Sequence, residues 1–355
     1  MKTILSLLFL FALSFIACST EIKTDIETPI VGIAGPIDPF EQNAKLGRGI
    51  NFGNALEAPN EGEWGFTLRE EYFRLVKSKG FNSVRIPIKW SAHTSDSTPY
   101  TIEENFFERV DWAIEQSLAN NLMVMINMHH YDEIFVNPAA EIAKFLSIWE
   151  QISERYANQP AEVLFEILNE PHDKLTAELW NELLPQALNI IREKNPYRTV
   201  VIGAAEWGGI PGLQKLIIPS DSNLIVTVHY YEPFQFTHQG ADWVQGVDAD
   251  AWLGTRWMGS PAEVNGIRDH FQVIVDWGKQ RNVPINIGEF GAFSRADSPS
   301  RGRWTREVVR FALEKNMSYH YWEFGSGFGV FNPNTMQWDI ELLNALIETE
   351  VGQGE

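Results

Sequence analysis

Apolar residues recur along this chain in two rhythms. Eight short runs of apolar and β-branched residues occupy 49–52, 83–87, 123–128, 163–168, 199–203, 224–228, 285–288 and 318–322, and longer stretches with an apolar residue every three or four positions lie between them. The longer stretches predict amphipathic helices. Thr67 and Glu70 have the spacing of a capping box, Leu68, Tyr72, Leu75 and Val76 share one face, and Gly80 ends the pattern. Phe106, Val110, Ala113 and Ile114 form a second such face, and 176–195 predicts a third helix with Leu179, Leu183, Leu184, Leu188 and Ile191 inward. Strands that are apolar almost throughout are covered on both sides, as in a parallel sheet packed under helices. Eight of them favour closure into a (β/α)8 barrel, the TIM barrel, with an α/β chain wound as one domain. An open doubly wound sheet is the alternative, but no glycine-rich phosphate turn follows the first run.

Composition narrows the picture. At 355 residues and 44% hydrophobic content the chain can bury one barrel-sized core, and no repeat of solenoid period argues for a modular array. A net charge of −19 offers no basic face to phosphates, so nucleic acid is not expected as a partner. Thirteen Trp and 22 Phe supply flat apolar faces of the kind on which sugar rings stack, although most must fill the core.

The N-terminus reads as an export signal. Met1-Lys2-Thr3 precedes an apolar run, 4–16, that is too short to span a bilayer. Phe15-Ile16-Ala17-Cys18 resembles a bacterial lipobox, and Cys18 is the only cysteine, so it has no internal disulfide partner. The expectation is a lipoprotein-type signal over 1–18 with lipid attached at Cys18, a flexible tether over 19–40 rich in Thr, Pro, Asp and Glu, and a folded domain over 41–355. An ordinary cleaved signal that ends in Cys is the other reading. On the first reading the protein is exported, held at a bacterial envelope (the outer membrane) by its lipid anchor alone, and monomeric; on the second it is secreted.

In such a barrel, chemistry collects where strands end. Two glutamates stand at such ends, in Ile167-Leu168-Asn169-Glu170-Pro171 and in Ile287-Gly288-Glu289-Phe290. Each alone could cap the helix that follows. Together, as carboxyl groups facing one another across a glycosidic bond, they are the minimal machinery for its hydrolysis. The other ends carry Asn54 and Glu57, Arg85, His129 and His130, Asn169, His229 and Tyr231, and Trp322 with Glu323. An inward arginine can be purely structural, and a tryptophan can cap a barrel. His129-His130 is no metal pair by pattern, because adjacent strand residues point apart and neither a His-Glu-x-x-His spacing nor a cysteine accompanies them.

The motifs Ser83-Val84-Arg85-Ile86-Pro87, Asn127-Met128-His129-His130, Ile167-Leu168-Asn169-Glu170-Pro171, His229-Tyr230-Tyr231, Gly288-Glu289-Phe290 and Tyr321-Trp322 together resemble glycoside hydrolase family 5, over roughly residues 45 to 350. Gly47–Asn60, Ala205-Glu206-Trp207-Gly208-Gly209 and Phe236-Thr237-His238-Gln239-Gly240 are similar to a bacterial endo-β-1,4-glucanase branch with mixed glucanase and mannanase activity. The resemblance implies a retaining endo-β-1,4-glucanase on β-linked polysaccharide or oligosaccharide, with mannan or xyloglucan as alternative substrates, and neither cofactor nor catalytic metal. It implies Glu170 as acid/base and Glu289 as nucleophile. Arg85 and Tyr231 would then favour the ionised Glu289, His229 would position Glu170, and Asn169 would meet the sugar 2-hydroxyl. His129 and His130 would hold ring hydroxyls above Trp322, and Asn54, Glu57, His238, Trp243 and Glu323 would extend the cleft. The competing class is a glycan-binding surface lipoprotein that keeps the barrel without the chemistry; the presence of both glutamates beside Arg85 and Tyr231 speaks for the enzyme.

Overall fold

The structure, a computed structural model, describes residues 32–349. Eight parallel strands form a closed barrel: β1 (Arg48–Asn51), β2 (Ser83–Ile86), β3 (Met123–Asn127), β4 (Val163–Glu166), β5 (Val200–Gly203), β6 (Leu224–His229), β7 (Ile285–Glu289) and β8 (Ser318–Tyr321). Each strand pairs with its sequence neighbours, and β8 closes on β1. This is the (β/α)8 architecture that the eight apolar runs predict.

Register shows why the strands are apolar almost throughout. Parallel pairing aligns Arg85 with Met125, Met125 with Leu164, and Val201 with Ile225, all on the inner face. Alternate positions, among them Ile50, Val84, Val124, Phe165, Val200, Val226 and Ile287, point outward into the main core under the helices. Each such side chain stabilises the fold by about 1.5–3 kcal/mol on burial. The inner face holds a separate small cluster, Leu46, Met123, Met125, Leu164, Val201 and Ile225. Several inner positions are polar and fully buried, Asn51, Arg85, Asn127 and Glu166 toward the C-terminal ends of the strands and Asn286 and His320 deeper in the barrel. Unpaired polar groups at such depth are costly. These are paired: Asn286 donates to Ser318, and Ser83 lies 3.0 Å from the His320 ring.

A helix, Pro39–Leu46, closes the opposite end of the barrel. Asp38 caps it by accepting from the Phe40 amide at 2.8 Å, an interaction worth about 1 kcal/mol. Its Asn43 donates to the Ile285 carbonyl and accepts from Ser318, tying the plug to β7 and β8. The helix therefore takes the last two residues of the segment expected as tether; that segment up to residue 31, and the whole of the signal including Cys18, lie outside the described residues.

Two helix expectations are corrected in detail. The capping box at Thr67 does not form: the helix is Glu70–Ser78, and its N-cap Arg69 makes no side-chain cap. Instead Glu61, gripped by Arg109 at 2.7 Å, accepts from the Leu68 amide and holds the chain extended there. In Ala177–Lys194, Leu183, Leu184, Leu188 and Ile191 are buried as expected, but Leu179 is 41% exposed. The neighbouring Trp180 takes the inward place and donates to the Gly203 carbonyl at 2.9 Å. Among the described residues no helix is long and apolar enough to cross a membrane.

Candidate active site

Arg85, fully buried on β2, is the hub of the polar end of the barrel. Its Nε and Nη2 donate to the two oxygens of Glu166 at 2.6 and 2.8 Å, its Nη1 to Glu289 at 2.7 Å and to Asn51 at 2.8 Å, and its Nη2 also to the Asn169 side-chain oxygen at 2.8 Å. Burial alone would lower the pKa of a guanidinium; the charges of Glu166 and Glu289 outweigh this and raise it. Glu166 remains ionised, because Arg85 overcomes the burial that would raise its pKa. The hub so fixes four side chains from three strands or their ends.

Glu289 ends β7, and its other oxygen accepts from the Tyr231 hydroxyl at 2.9 Å. The adjoining Gly288 is required by space, since a Cβ there would come within 2.2 Å of Thr227 Oγ1 and 3.2 Å of the His229 ring. Glu170 lies just past β4, on a turn whose φ of 45° directs it into the same opening. His229 Nδ1 is 2.6 Å from Glu170 Oε1 and 3.6 Å from Glu289 Oε2. One carboxylate oxygen of each glutamate and this nitrogen all lie within 4.8 Å of one another. That matches the spacing of about 5–5.5 Å between carboxyls in double-displacement sites and leaves no room for the water that an inverting site holds.

The three groups titrate together. Burial disfavours an imidazolium at His229, but the charges of Glu289 and Glu170 raise its pKa. Burial pushes Glu170 up, and the His229 charge and hydrogen bond pull it down further, so the proton between them rests toward the imidazole. Glu289 is raised by burial and by the Glu170 charge, against the pull of His229 and Arg85. One proton on the cluster is thus strongly held, and its location depends on what occupies the opening.

Trp322 and His129 form the floor, stacked at 5.7 Å between centroids and 8° between planes. Gly53 lies against the Trp322 ring, where a Cβ would approach to 2.9 Å. His129 is held neutral by burial and by neighbouring His130, and its Nδ1 is 3.1 Å from the Asn127 amide. His130, at a φ of 48°, is pushed down to about 4 by burial. Asn54 stands on a left-handed turn, φ 65°, at the mouth. His238 packs edge-on against Tyr231, and Trp243, 51% exposed, rests on Phe293 and Phe328. The structure brings together Glu170, Glu289, Arg85, His129, Asn169, His229, Tyr231 and Trp322, with Asn54, His130, His238 and Trp243 around them.

Glu57 and Glu323 do not line the opening as expected. Both are fully buried and serve the loops that build its wall. Glu57 accepts from the amides of Asn54 and Ala55, and Glu323 from those of Ser326 and Phe328. Burial raises the pKa of each to about 8. Two contributors were not singled out in the sequence. Glu166 reads as one more strand residue until Arg85 is seen against it. Trp207, 55% exposed, stacks on His172 at 3.5 Å, and its amide donates to the Pro171 carbonyl beside Glu170. An isolated tryptophan before Gly208-Gly209 was the available signal.

This fold and this pair of carboxyls define a glycosidase-type site, and the comparisons agree. The model of the cellulase family, glycosyl hydrolase family 5, matches residues 47–327, and the chain belongs to that family. Endoglucanase H of Acetivibrio thermocellus is 37% identical over 325 residues, covering 90% of this chain and 35% of that protein. Endoglucanase 3 of Fibrobacter succinogenes is 25% identical over 340 residues, covering 82% of this chain and 52% of that protein. The chain thus spans about a third to a half of the length of these curated relatives. Among solved structures, endoglucanase Cel5A of Thermotoga maritima is 51% identical with a TM-score of 0.86, covering 88% of this chain and all of that one. The same enzyme in complex with mannotriose is 50% identical with a TM-score of 0.86, covering 87% of this chain and 100% of the other.

Proposed function

We propose that this protein is a retaining endo-β-1,4-glucanase that hydrolyses internal linkages of β-glucan chains, with β-mannan as a second substrate. The observation that carries the reading is the approach of Glu170 and Glu289 to within 4.8 Å, in surroundings that differ as the two roles require. Glu289, oriented by Arg85 and Tyr231, attacks the anomeric carbon from one side. The bond to the leaving oxygen breaks as Glu170 protonates that oxygen, with the proton drawn from the His229 contact. Glu170 then accepts a proton from water, which attacks the same carbon and releases Glu289. Asn169, whose oxygen is held by Arg85, keeps its NH2 group for the sugar 2-hydroxyl, where a bond that tightens as the ring flattens lowers the barrier.

Two aromatic side chains mark out the length of substrate. Trp322 lies under the ring to be cleaved, and Trp207 lies beside Glu170, on the leaving-group side. Cel5A of Thermotoga maritima forms complexes with cellobiose and with mannotriose, which supports tolerance of both sugar series here. Parallel digestion of carboxymethyl cellulose, barley glucan, mannan and xyloglucan tests the reading. It predicts a rapid fall in viscosity with few reducing ends on glucan and slower release on mannan; monosaccharide as the first product, or turnover of xyloglucan alone, would contradict it.

A further inference from the structure

His172 takes no part in the chemistry described so far, yet it grips the backbone of the acid/base glutamate. Glu170 stands at a φ of 45°, a left-handed conformation that a residue other than glycine keeps only where its surroundings hold it. The His172 Nδ1 lies 2.6 Å from the Glu170 carbonyl oxygen. A carbonyl oxygen only accepts, so this nitrogen carries the proton and the bond fixes the tautomer. The nearest carboxylate to Nε2 is that of Asp173 at 3.9 Å, too far for a hydrogen bond.

The imidazole is itself clamped. Phe135, from the short helix Asp132–Val136, packs on it at 4.0 Å between centroids, and Trp207 stacks on it at 3.5 Å and 14° between planes. Trp207 belongs to a turn in which Glu206, Trp207 and Gly208 take φ values of 57°, 61° and 65° in succession. That turn is tied on both sides of the acid/base pair. The Trp207 amide donates to the Pro171 carbonyl at 3.4 Å, and the Gly208 carbonyl accepts from the His229 amide at 3.0 Å. One imidazole thus joins the backbone that aims Glu170 to the aromatic plate on the leaving-group side.

We propose that His172 is a positioning residue for the acid step: its Nδ1–H holds the turn that aims Glu170, and its ring seats Trp207 against that turn. The inference rests on the reading of Glu170 as the general acid. His172 itself need not touch substrate. Its two functions are separable, because the hydrogen bond belongs to one ring atom and the stacking to the ring face. Loss of the bond impairs proton delivery to the leaving oxygen, and loss of the ring weakens the hold on sugar beyond the cleaved bond.

Kinetics of two variants on cellotetraose and on dinitrophenyl cellobioside test it. His172→Phe keeps a ring between Phe135 and Trp207 and removes the donor; it should lose at least about tenfold in kcat on cellotetraose with KM within about twofold. On dinitrophenyl cellobioside, whose leaving group needs little protonation, its kcat/KM should stay within about threefold of wild type. His172→Asn keeps an N–H near the place of Nδ1 and removes the ring, so it should recover most of kcat and raise KM on cellotetraose. Equal losses on both substrates, the mark of a merely structural role, or an unchanged kcat on cellotetraose in His172→Phe, overturns the proposal. Thermal melts show which variants are folded. Proton–nitrogen NMR correlations of the histidine rings in the wild-type protein add a readout free of turnover: the signal that disappears in His172→Asn must show a protonated Nδ1, and a bare Nδ1 overturns the proposal whether or not His172→Phe folds. Wild-type protein inactive on both substrates would refute the glucanase reading and leave the NMR result to decide the hydrogen bond.

Discussion

At the scale of single residues, the two glutamates are distinguished by their partners, and this dictates how their variants fail. Glu289→Ala removes the attacking group and should cost at least about 10³-fold in kcat on every substrate. Glu170→Ala should spare aryl glycosides with good leaving groups and regain turnover with azide, giving a β-glycosyl azide; loss on those substrates equal to that on polysaccharide would contradict the assigned roles. Arg85 acts through its partners. Arg85→Ala leaves Glu166 buried without a counter-charge, so a loss of about 3–5 kcal/mol of stability is expected in denaturant titrations. Both glutamates could be picked out in the sequence because a strand end followed by a turn is a local pattern. Glu166 could not, since its importance lies in an arginine 81 positions away. Trp207 is open to test by substrate length. Trp207→Ala should lose on the order of 1 kcal/mol of transition-state binding on long oligosaccharides and little on those that end at the cleaved bond, read as kcat/KM.

At the scale of elements, the loops after β1 and β8 are set by acids that face inward. Glu57 and Glu323 hold protons in the folded protein up to about pH 8, whereas the unfolded chain releases them near 4.5. Between those values the folded state binds more protons, so each group makes stability fall as pH rises, by on the order of a few kcal/mol over the full interval. Below pH 4.5 the contribution is fully present, and above 8 it is fully lost. Glu57→Gln and Glu323→Gln should remove this slope: relative to the wild type, each should gain in melting temperature as pH goes from 5 to 8. A constant offset across that range would show that the carboxyls stay ionised. The sequence placed both residues at strand ends correctly and gave them the wrong neighbour, because a polar residue at a barrel mouth can turn to sugar or to the amides of its own loop. Capping chemistry misled in the same way at Thr67, where a distant ion pair, Arg109 with Glu61, decides the chain path.

At the scale of the whole molecule, the barrel was legible from eight apolar runs, because covering a parallel sheet on both faces leaves a signal in every strand. The plug helix Pro39–Leu46 was not, because two of its buried positions are the polar Gln42 and Asn43, which leave no apolar stripe to read. We propose that the domain is held at a cell envelope through Cys18 and that the protein is a monomer. With Cys18 acylated, the protein should fractionate with membranes and dissolve only in detergent, and Cys18→Ser should release active enzyme or block processing. A soluble wild-type protein with its mature N-terminus elsewhere would remove the anchor and leave the catalytic account standing.

The central claim is a covalent sugar on Glu289. Incubation with a 2-deoxy-2-fluoro cellobioside bearing a good leaving group, followed by peptide mass spectrometry, should add the mass of one 2-deoxy-2-fluorocellobiosyl group to the peptide containing Glu289. An adduct on the peptide of Glu170, or inactivation without any adduct while natural substrate is released with inverted configuration, would contradict it.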